Sequence, residues 1–346
     1  MTMLPGVPWL LAHRSMLKPN QPMKVSLYAN DYVLWQDSLG KISCLPNACP
    51  HMGAMLSEGW CVTKPDGSSV VACPFHALEF DSAGCTVLPG SNKPTKSLIE
   101  PLELIIQGDF IWSYGGEEPK APIPTTLNEI ASEYEFVGYV ADISVKTDLL
   151  TMLLNMHDYN HQNGTHRPLF EIEEVQFNQF IDDGHHSHAY FDLPRTKPTL
   201  SDILKNPGLL VLPKVIQVHL ENCFPSMVIV HAHSPMATVR ECHLFVPESP
   251  NHTRTYVLVF MKVHNPIFHL FKRNLLHLAS VIVKQDAEIL EKLYSNTPQH
   301  IKLNNEVGME WVRRNFESFP TVVQPNLSRA EVNYNFEQLH VGTRSR

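Results

Sequence analysis

From Lys24 to Ser113 the hydrophobic positions fall in short runs separated by glycine, proline, asparagine and aspartate: Lys24 to Tyr28, Tyr32 to Trp35, Ser69 to Ala72 and Phe110 to Ser113. Short β-branched and aromatic runs bounded by turn formers predict strands, and their spacing predicts a small antiparallel β domain. The segment from Gly115 to Pro124, rich in proline, glycine and charge, reads as the linker out of it. Beyond the linker the period changes. Thr147 to Gln162 carries apolar residues at helical spacing and ends at Gly164, with Pro168 soon after. A second helix is expected to begin at Asn265-Pro266, with asparagine as cap and proline at the first helical position, and to run to about Tyr294. Between the helices, Val215 to Leu220, Met227 to His233, Glu241 to Val246 and Arg254 to Val263 read as successive strands of one sheet. The fold class is therefore α+β: an N-terminal antiparallel β domain over 1–118, then a domain over 125–346. In the latter an antiparallel sheet and a long C-terminal helix suit a helix-grip (START-like) cavity.

Composition narrows the function classes. At 346 residues and 43% hydrophobic content the chain is long enough for two domains with cores of their own. A net charge of −8 and an isoelectric point near 6.2 leave no basic patch to favour nucleic acid or an anionic membrane. The apolar stretch from Val7 to Ala12 lacks the basic flank and length of a leader, and no apolar run approaches the roughly 18 residues of a membrane span. These features predict a soluble, cytoplasmic protein. The seven cysteines are odd in number and five lie in the first quarter, which argues against a disulfide framework. Cys44, Cys61 and Cys85 have no ligand spacing and read as small buried hydrophobes.

The other cysteines of that quarter do have a spacing. Cys49-Pro50-His51 is followed some twenty residues later by Cys73-Pro74-Phe75-His76. Two Cys and two His also make a tetrahedral zinc set, but a zinc finger normally places two residues between its first ligands and its histidines on a helix. Two Cys-Pro turns at loop tips instead suit a [2Fe-2S] cluster with thiolates on one iron and imidazoles on the other. The stretches Cys49 to Ala54 and Cys73 to Asp81 resemble the Rieske domain of the Rieske non-heme iron oxygenases. That resemblance implies Cys49 and Cys73 on one iron and His51 and His76 on the other; Met52 departs from the arginine common there.

A second group of candidate ligands lies in the larger domain. Asn155, Asp158, His161 and His166 form Asn-x-x-Asp-x-x-His-x-x-x-x-His. On a continuous helix Leu150, Leu154, His157 and His161 would share a face, so His157 and His161 could also chelate a metal. On the last helix Phe271, Leu275, Leu278, Ile282, Ile289 and Leu293 form an apolar stripe whose missing position is Asp286. A carboxylate there is costly unless paired or bound to metal. A salt bridge to Lys284, Arg273 or a distant arginine is one solution. The other is an iron site, since two histidines and one carboxylate with open positions form the facial triad of non-heme Fe(II) oxygenases. The same family resemblance, which covers nearly the whole chain, implies His161, His166 and Asp286 as the mononuclear iron ligands and leaves His157 a neighbour.

The resemblance implies further roles. Asp158, grouped with Asn155 as catalytic, would bridge His161 and His76 of an adjacent subunit, which requires a head-to-tail homotrimer. No nucleotide-binding glycine fingerprint or flavin motif is present, so electrons would come from a separate ferredoxin or NAD(P)H-dependent reductase. The branch most resembled includes vanillate demethylase and dicamba monooxygenase, where Asn222 and His243 match positions that hydrogen-bond a substrate carboxylate; ordinary strand polarity explains them equally well. His231, with His219 and His233, is a further candidate for that pocket. The implied activity is hydroxylation or oxidative demethylation, with O2, of a small ring-containing substrate. The alternatives are a cis-diol-forming dioxygenase and a Rieske electron carrier without mononuclear iron. The stretch from Leu193 to Pro213 shows no match to that branch.

Overall fold

The computed structural model describes residues 3–320 other than 171, 197–198, 206–213, 235 and 295–298. The expected end of the second domain and part of the unmatched Leu193 to Pro213 stretch thus lie outside the described residues. Nine strands precede the first long helix: β1 (Trp9–His13), β2 (Met23–Leu27), β3 (Asn30–Gln36), β4 (Ile42–Pro46), β5 (Trp60–Thr63), β6 (Ser69–Ala72), β7 (Glu79–Phe80), β8 (Ile105–Gln107) and β9 (Phe110–Ser113). They form three antiparallel sheets, ordered β1-β9-β8, β2-β3-β4 and β5-β6-β7. The runs expected from patterning correspond to β2, β3, β6 and β9, the first reaching one residue beyond β2, to Tyr28. Val7 to Ala12 adds a strand that patterning did not supply, because β1 is buried along its whole length and has no alternation to betray it.

The rest of the described chain comprises α1 (Thr126–Glu133), β10 (Glu135–Val145), α2 (Leu149–His157), α3 (Arg167–Phe170), β11 (Gln176–Asp183), β12 (His186–Pro194), α4 (Leu200–Lys205), β13 (Val215–Cys223), β14 (Met227–His233), β15 (Ala237–Ser249), β16 (His252–Val263), α5 (Lys272–Leu290) and α6 (Val307–Ser318). The seven strands make one antiparallel sheet in the order β10-β16-β15-β14-β13-β12-β11. The four strands expected between the helices are its centre; β10, β11 and β12 complete it. Val239, Val257, Val259 and Met261 pack from one face of the sheet against Val283, Phe268 and Leu275 of the long helix and the turn before it, the helix-grip arrangement. The opposite face meets the N-terminal sheets, where Tyr256 Oη donates to the Leu10 carbonyl at 2.5 Å and Arg254 Nη1 to that of Leu11 at 2.7 Å. One continuous apolar core runs from Trp9 and Trp112 to Phe245 and Phe260, while Val33, Trp35, Leu45, Leu56, Val71 and Phe80 form a separate small core beneath Cys49 and Cys73. Among the described residues no helix is long and apolar enough to cross a membrane.

Two expectations about the helices are corrected. The helix expected over 147–162 ends at His157. Asp158 leaves helical geometry at φ −85°, ψ 89°, its side chain accepts from Asn160 N, and Tyr159–Asn163 continues as a 3-10 turn. Asp and Asn compete with the helix by bonding to nearby backbone, and here they win over the apolar period. His157 and His161 therefore do not form a helical pair. The second helix starts with a 3-10 turn, Pro266–Phe271, capped by Asn265 as expected, and ends at Leu290 rather than Tyr294. Its buried stripe is Ala279, Val283, Asp286 and Leu290, one residue round from the expected one, and Ile289 and Leu293 are exposed. Asp286 lies on both stripes.

Helix α6, absent from the patterning analysis, packs on α2. Trp311 Nε1 donates to the Gly184 carbonyl at 3.0 Å and its ring lies 5.4 Å from that of His157. A Cβ at Gly308 would stand 2.3 Å from Tyr159 Oη, so only glycine lets α6 seat against the 3-10 turn that follows Asp158.

Candidate metal centres

The first site is built from two loops of nearly identical construction. In one, Cys49 N donates to the Ala54 carbonyl at 2.9 Å and Gly53 N to the Cys49 carbonyl at 2.8 Å; in the other, Cys73 N donates to Leu78 and Ala77 N to Cys73, both at 2.9 Å. The fourth residue after each cysteine takes a positive φ, +75° at Gly53 and +54° at Ala77. Ala77 pays a steric cost there that glycine would not, which marks the turn as required. Each turn buries its cysteine and leaves its histidine at an exposed tip. His51 Nδ1 and His76 Nδ1 face each other at 3.2 Å, within reach of one ion. Burial raises the pKa of the Cys49 thiol, while the N–H groups of His51 and Met52 act in the opposite sense. Amides aimed at a sulfur favour its thiolate, the form that binds iron.

The second site forms where the helix break re-aims the chain. His161 and His166, in the segment following Asp158, converge on Asp286 of α5: His166 Nε2 lies 3.2 Å and His161 Nε2 3.6 Å from Asp286 Oδ1. One ligand atom from each of the three lies within 4.8 Å of the others. The remaining ring nitrogens are both engaged. His166 Nδ1 donates to Gln285 Oε1 at 3.0 Å, and His161 Nδ1 donates to the Asp158 carbonyl. Both Nε2 atoms then present lone pairs on the carboxylate side, that of His161 also accepting from Gln162 Nε2 at 3.2 Å, while His166 Nε2 and Asp286 Oδ1 are buried without a hydrogen-bond partner. Two imidazoles and a carboxylate around one buried point suit a cation held among them. The donor set fits Fe(II).

Electrostatics agree. Burial pushes the Asp286 carboxyl up, but His166, His161 and Asn155 outweigh it and hold the carboxyl below its usual range. Burial disfavours charged His166, yet Asp286 beside it raises its pKa overall, whereas for His161 burial wins and the pKa falls. Asn155 lines the same small cavity as Asp286.

Other candidate residues are sorted by strand register. Ser187, Asn222, Val228 and His243 stand side by side across β12 to β15 and share the face toward α5. His243 lines a small cavity with Asn155, Met156, Phe245 and Asp286. Burial lowers its pKa to about 4, so it is a neutral imidazole. Asn222 Nδ2 donates to Ser187 Oγ at 2.9 Å, leaving Oδ1 without a partner. His231 is a correction. It is an odd number of residues from Val228 on the same strand, so it points to the opposite face with His219 and His233, away from Asp286. Asp158 also differs from expectation, since its carbonyl and not its carboxylate takes His161 Nδ1, while the carboxylate accepts from Asn160 N at 3.1 Å. His157 is buried against Trp311, with Nδ1 donating to Leu153 at 2.7 Å.

Gln285 was not among the sequence candidates, although it adjoins Asp286. It fixes the His166 tautomer, so Gln285→Leu is expected to weaken Fe(II) binding about 10- to 100-fold, measured by chelator competition on protein whose cluster is intact. Unchanged affinity would remove that role.

Residues 8–99 match the family model of the Rieske [2Fe-2S] domain. Aminopyrrolnitrin oxygenase of Pseudomonas fluorescens is 25% identical over 184 residues, covering 50% of this chain and 49% of that protein. The 4beta-methylsterol monooxygenase of Methylococcus capsulatus is 24% identical over 185 residues, covering 51% and 48% respectively. The match thus spans about half the length of these curated relatives. The crystal structure of dicamba monooxygenase bound to dicamba superposes over 92% of this chain and 97% of its own, with a TM-score of 0.72 at 19% identity, so the two-domain fold is shared. Residues 8–99 therefore belong to the Rieske [2Fe-2S] domain family, and the described chain has the fold of dicamba monooxygenase.

Proposed function

We propose that this chain is the oxygenase component of a system that uses O2 and externally supplied electrons to hydroxylate, or oxidatively demethylate, a C–H bond of a small ring-containing molecule. The observation that carries this reading is the convergence of His161, His166 and Asp286 on one buried point, in the same chain as the two cluster loops. When bound, the [2Fe-2S] cluster supplies single electrons and the ferrous ion supplies O2 activation.

The chain's own residues have distinct tasks. Cys49, Cys73, His51 and His76 would hold the cluster. His161, His166 and Asp286 hold the mononuclear iron. Asn155 steadies the Asp286 carboxylate, and Asp158 fixes His161 through its carbonyl. Asn222 and His243 line the substrate side, where a neutral imidazole and an amide oxygen can accept or donate one hydrogen bond each. The domain division is 1–118 and 125–346. Exposed Met52 and Phe75 adjoin the His51 and His76 tips, apolar neighbours that suit docking of a ferredoxin or reductase in one encounter and of the next subunit in a homotrimer. None of the seven cysteines is paired in a disulfide, which suits the reducing cytoplasm.

A reading as electron carrier alone gives Asp286 and the two histidines no task. Labelled O2 separates the remaining alternatives once a substrate is found: a monooxygenated product is expected to carry one labelled oxygen atom, whereas a cis-diol carrying two would replace this proposal with a dioxygenase.

A further inference from the structure

The sheet face opposite Asp286 carries a block of side chains that oxygenation does not use. Cross-strand register sets Tyr190 beside His219 and His231, His188 beside Glu221, and His186 beside Cys223. Paired residues share a face, and so does every second residue of a strand, so all of these point the same way. Within the block His186, Glu221 and Cys223 each offer a ligand atom, and the three atoms lie within 4.8 Å of one another. Apart from the His161, His166 and Asp286 group, no other such grouping of His, Cys, Asp and Glu occurs among the described residues.

The geometry points to a further metal site on this face, at the β12–β13 side of the sheet, taking Zn2+ or a similar borderline-soft divalent ion, with His186, Glu221 and Cys223 as its protein ligands. His186 Nδ1 and Cys223 Sγ stand 3.6 Å apart. In a zinc tetrahedron with nitrogen at about 2.05 Å and sulfur at about 2.3 Å, the edge between them is about 3.5 Å. Two ligands are therefore already at the separation that one zinc ion imposes.

Glu221 is positioned as well. Its Oε2 accepts from His231 Nε2 at 2.9 Å, and the His231 ring stacks on His219 with centroids 4.2 Å apart. His219 in turn stacks on Tyr190 at 4.4 Å and meets His188 Nδ1 at 3.1 Å through its Nε2. This stack fixes His231, which fixes Glu221 and leaves Oε1 for an ion. Such outer hydrogen bonds orient ligating carboxylates. Thiolate and imidazole select against magnesium and calcium, which take oxygen ligands. His186 is exposed, so an ion can enter from solvent, and three protein ligands leave a fourth position to water.

Dialysis of the iron-loaded protein against micromolar free Zn2+, with metals counted by mass spectrometry, is expected to add one zinc per chain at constant iron and sulfide. His186→Ala, at an exposed position that folding does not need, and Cys223→Ser should each weaken zinc binding at least about tenfold, and His231→Ala by about tenfold. The reduced-cluster EPR signal should be unchanged in all three. Zinc-edge X-ray absorption should show one sulfur neighbour at about 2.3 Å, lost in Cys223→Ser. No uptake, uptake at the expense of iron, a coordination sphere without sulfur, or full binding by His186→Ala would each overturn the site. None of these outcomes depends on the oxygenase reading.

Discussion

Iron content is expected to fall from about three to about two atoms per chain when His166 is replaced by alanine, with acid-labile sulfide constant at about two. Product formation should drop by at least about a thousandfold, the cost of losing several kcal/mol of metal-derived stabilisation. The size of the effect follows from position. His166 is 1% exposed and its Nε2 has only Asp286 Oδ1 before it. Removing the imidazole leaves a buried carboxylate facing only His161 and Asn155. The lost ligand also leaves a cavity beside Phe170, whose ring lies 6.5 Å from that of His166, so the fold must be checked by the reduced-cluster EPR signal and by circular dichroism. His166→Gln, which fills most of the space, should lose the iron as well. Two irons per chain in the unaltered protein, or turnover that survives either substitution, would sink the mononuclear site.

How much of this was legible in sequence depends on how local each signal is. The cluster loops can be read directly, because each places its ligands within four residues and encodes its own turn. Asp286 could be read as an anomaly, a charge on an apolar stripe, even though the stripe itself lies one residue away from where patterning put it. The helix break at Asp158 could not be read so easily. Apolar spacing runs straight through it, and the decision rests on competition between backbone and the Asp158 and Asn160 side chains. Strand phase was hidden in the same way. Alternation within β14 and within β15 is visible in each alone, but only their pairing shows that His231 and His243 face opposite sides. β10 alternates weakly, and its strand is selected by partners far along the chain, Thr253 to Met261.

The intersubunit route makes the second large prediction, and the structure sharpens how it must be tested. Asp158 has two duties in one subunit: its carboxylate caps Asn160 N, and its carbonyl holds His161 Nδ1. Alanine would remove the cap and loosen the turn that aims His161, so lost activity in Asp158→Ala would say little about electron transfer. Asparagine can keep the cap, because its side-chain oxygen accepts from the same N–H. Asp158→Asn is therefore expected to retain about three irons per chain while slowing single-turnover reoxidation of the reduced protein about 100-fold. The route itself is tested by mixing chains. His76→Ala lacks a cluster ligand but keeps an intact Asp158 and mononuclear site, whereas Asp158→Asn keeps an intact cluster. Each should be nearly inactive alone. If Asp158 of one subunit receives electrons by way of His76 of its neighbour, refolding or co-expressing the two variants together creates interfaces in which an intact Asp158 meets an intact His76, and activity returns. If transfer stays within one chain, no mixture can restore it, because every chain carries one lesion. Activity in the mixture is thus expected, in proportion to the fraction of such interfaces, and its absence in verified mixed oligomers would end the intersubunit proposal while leaving both metal sites standing.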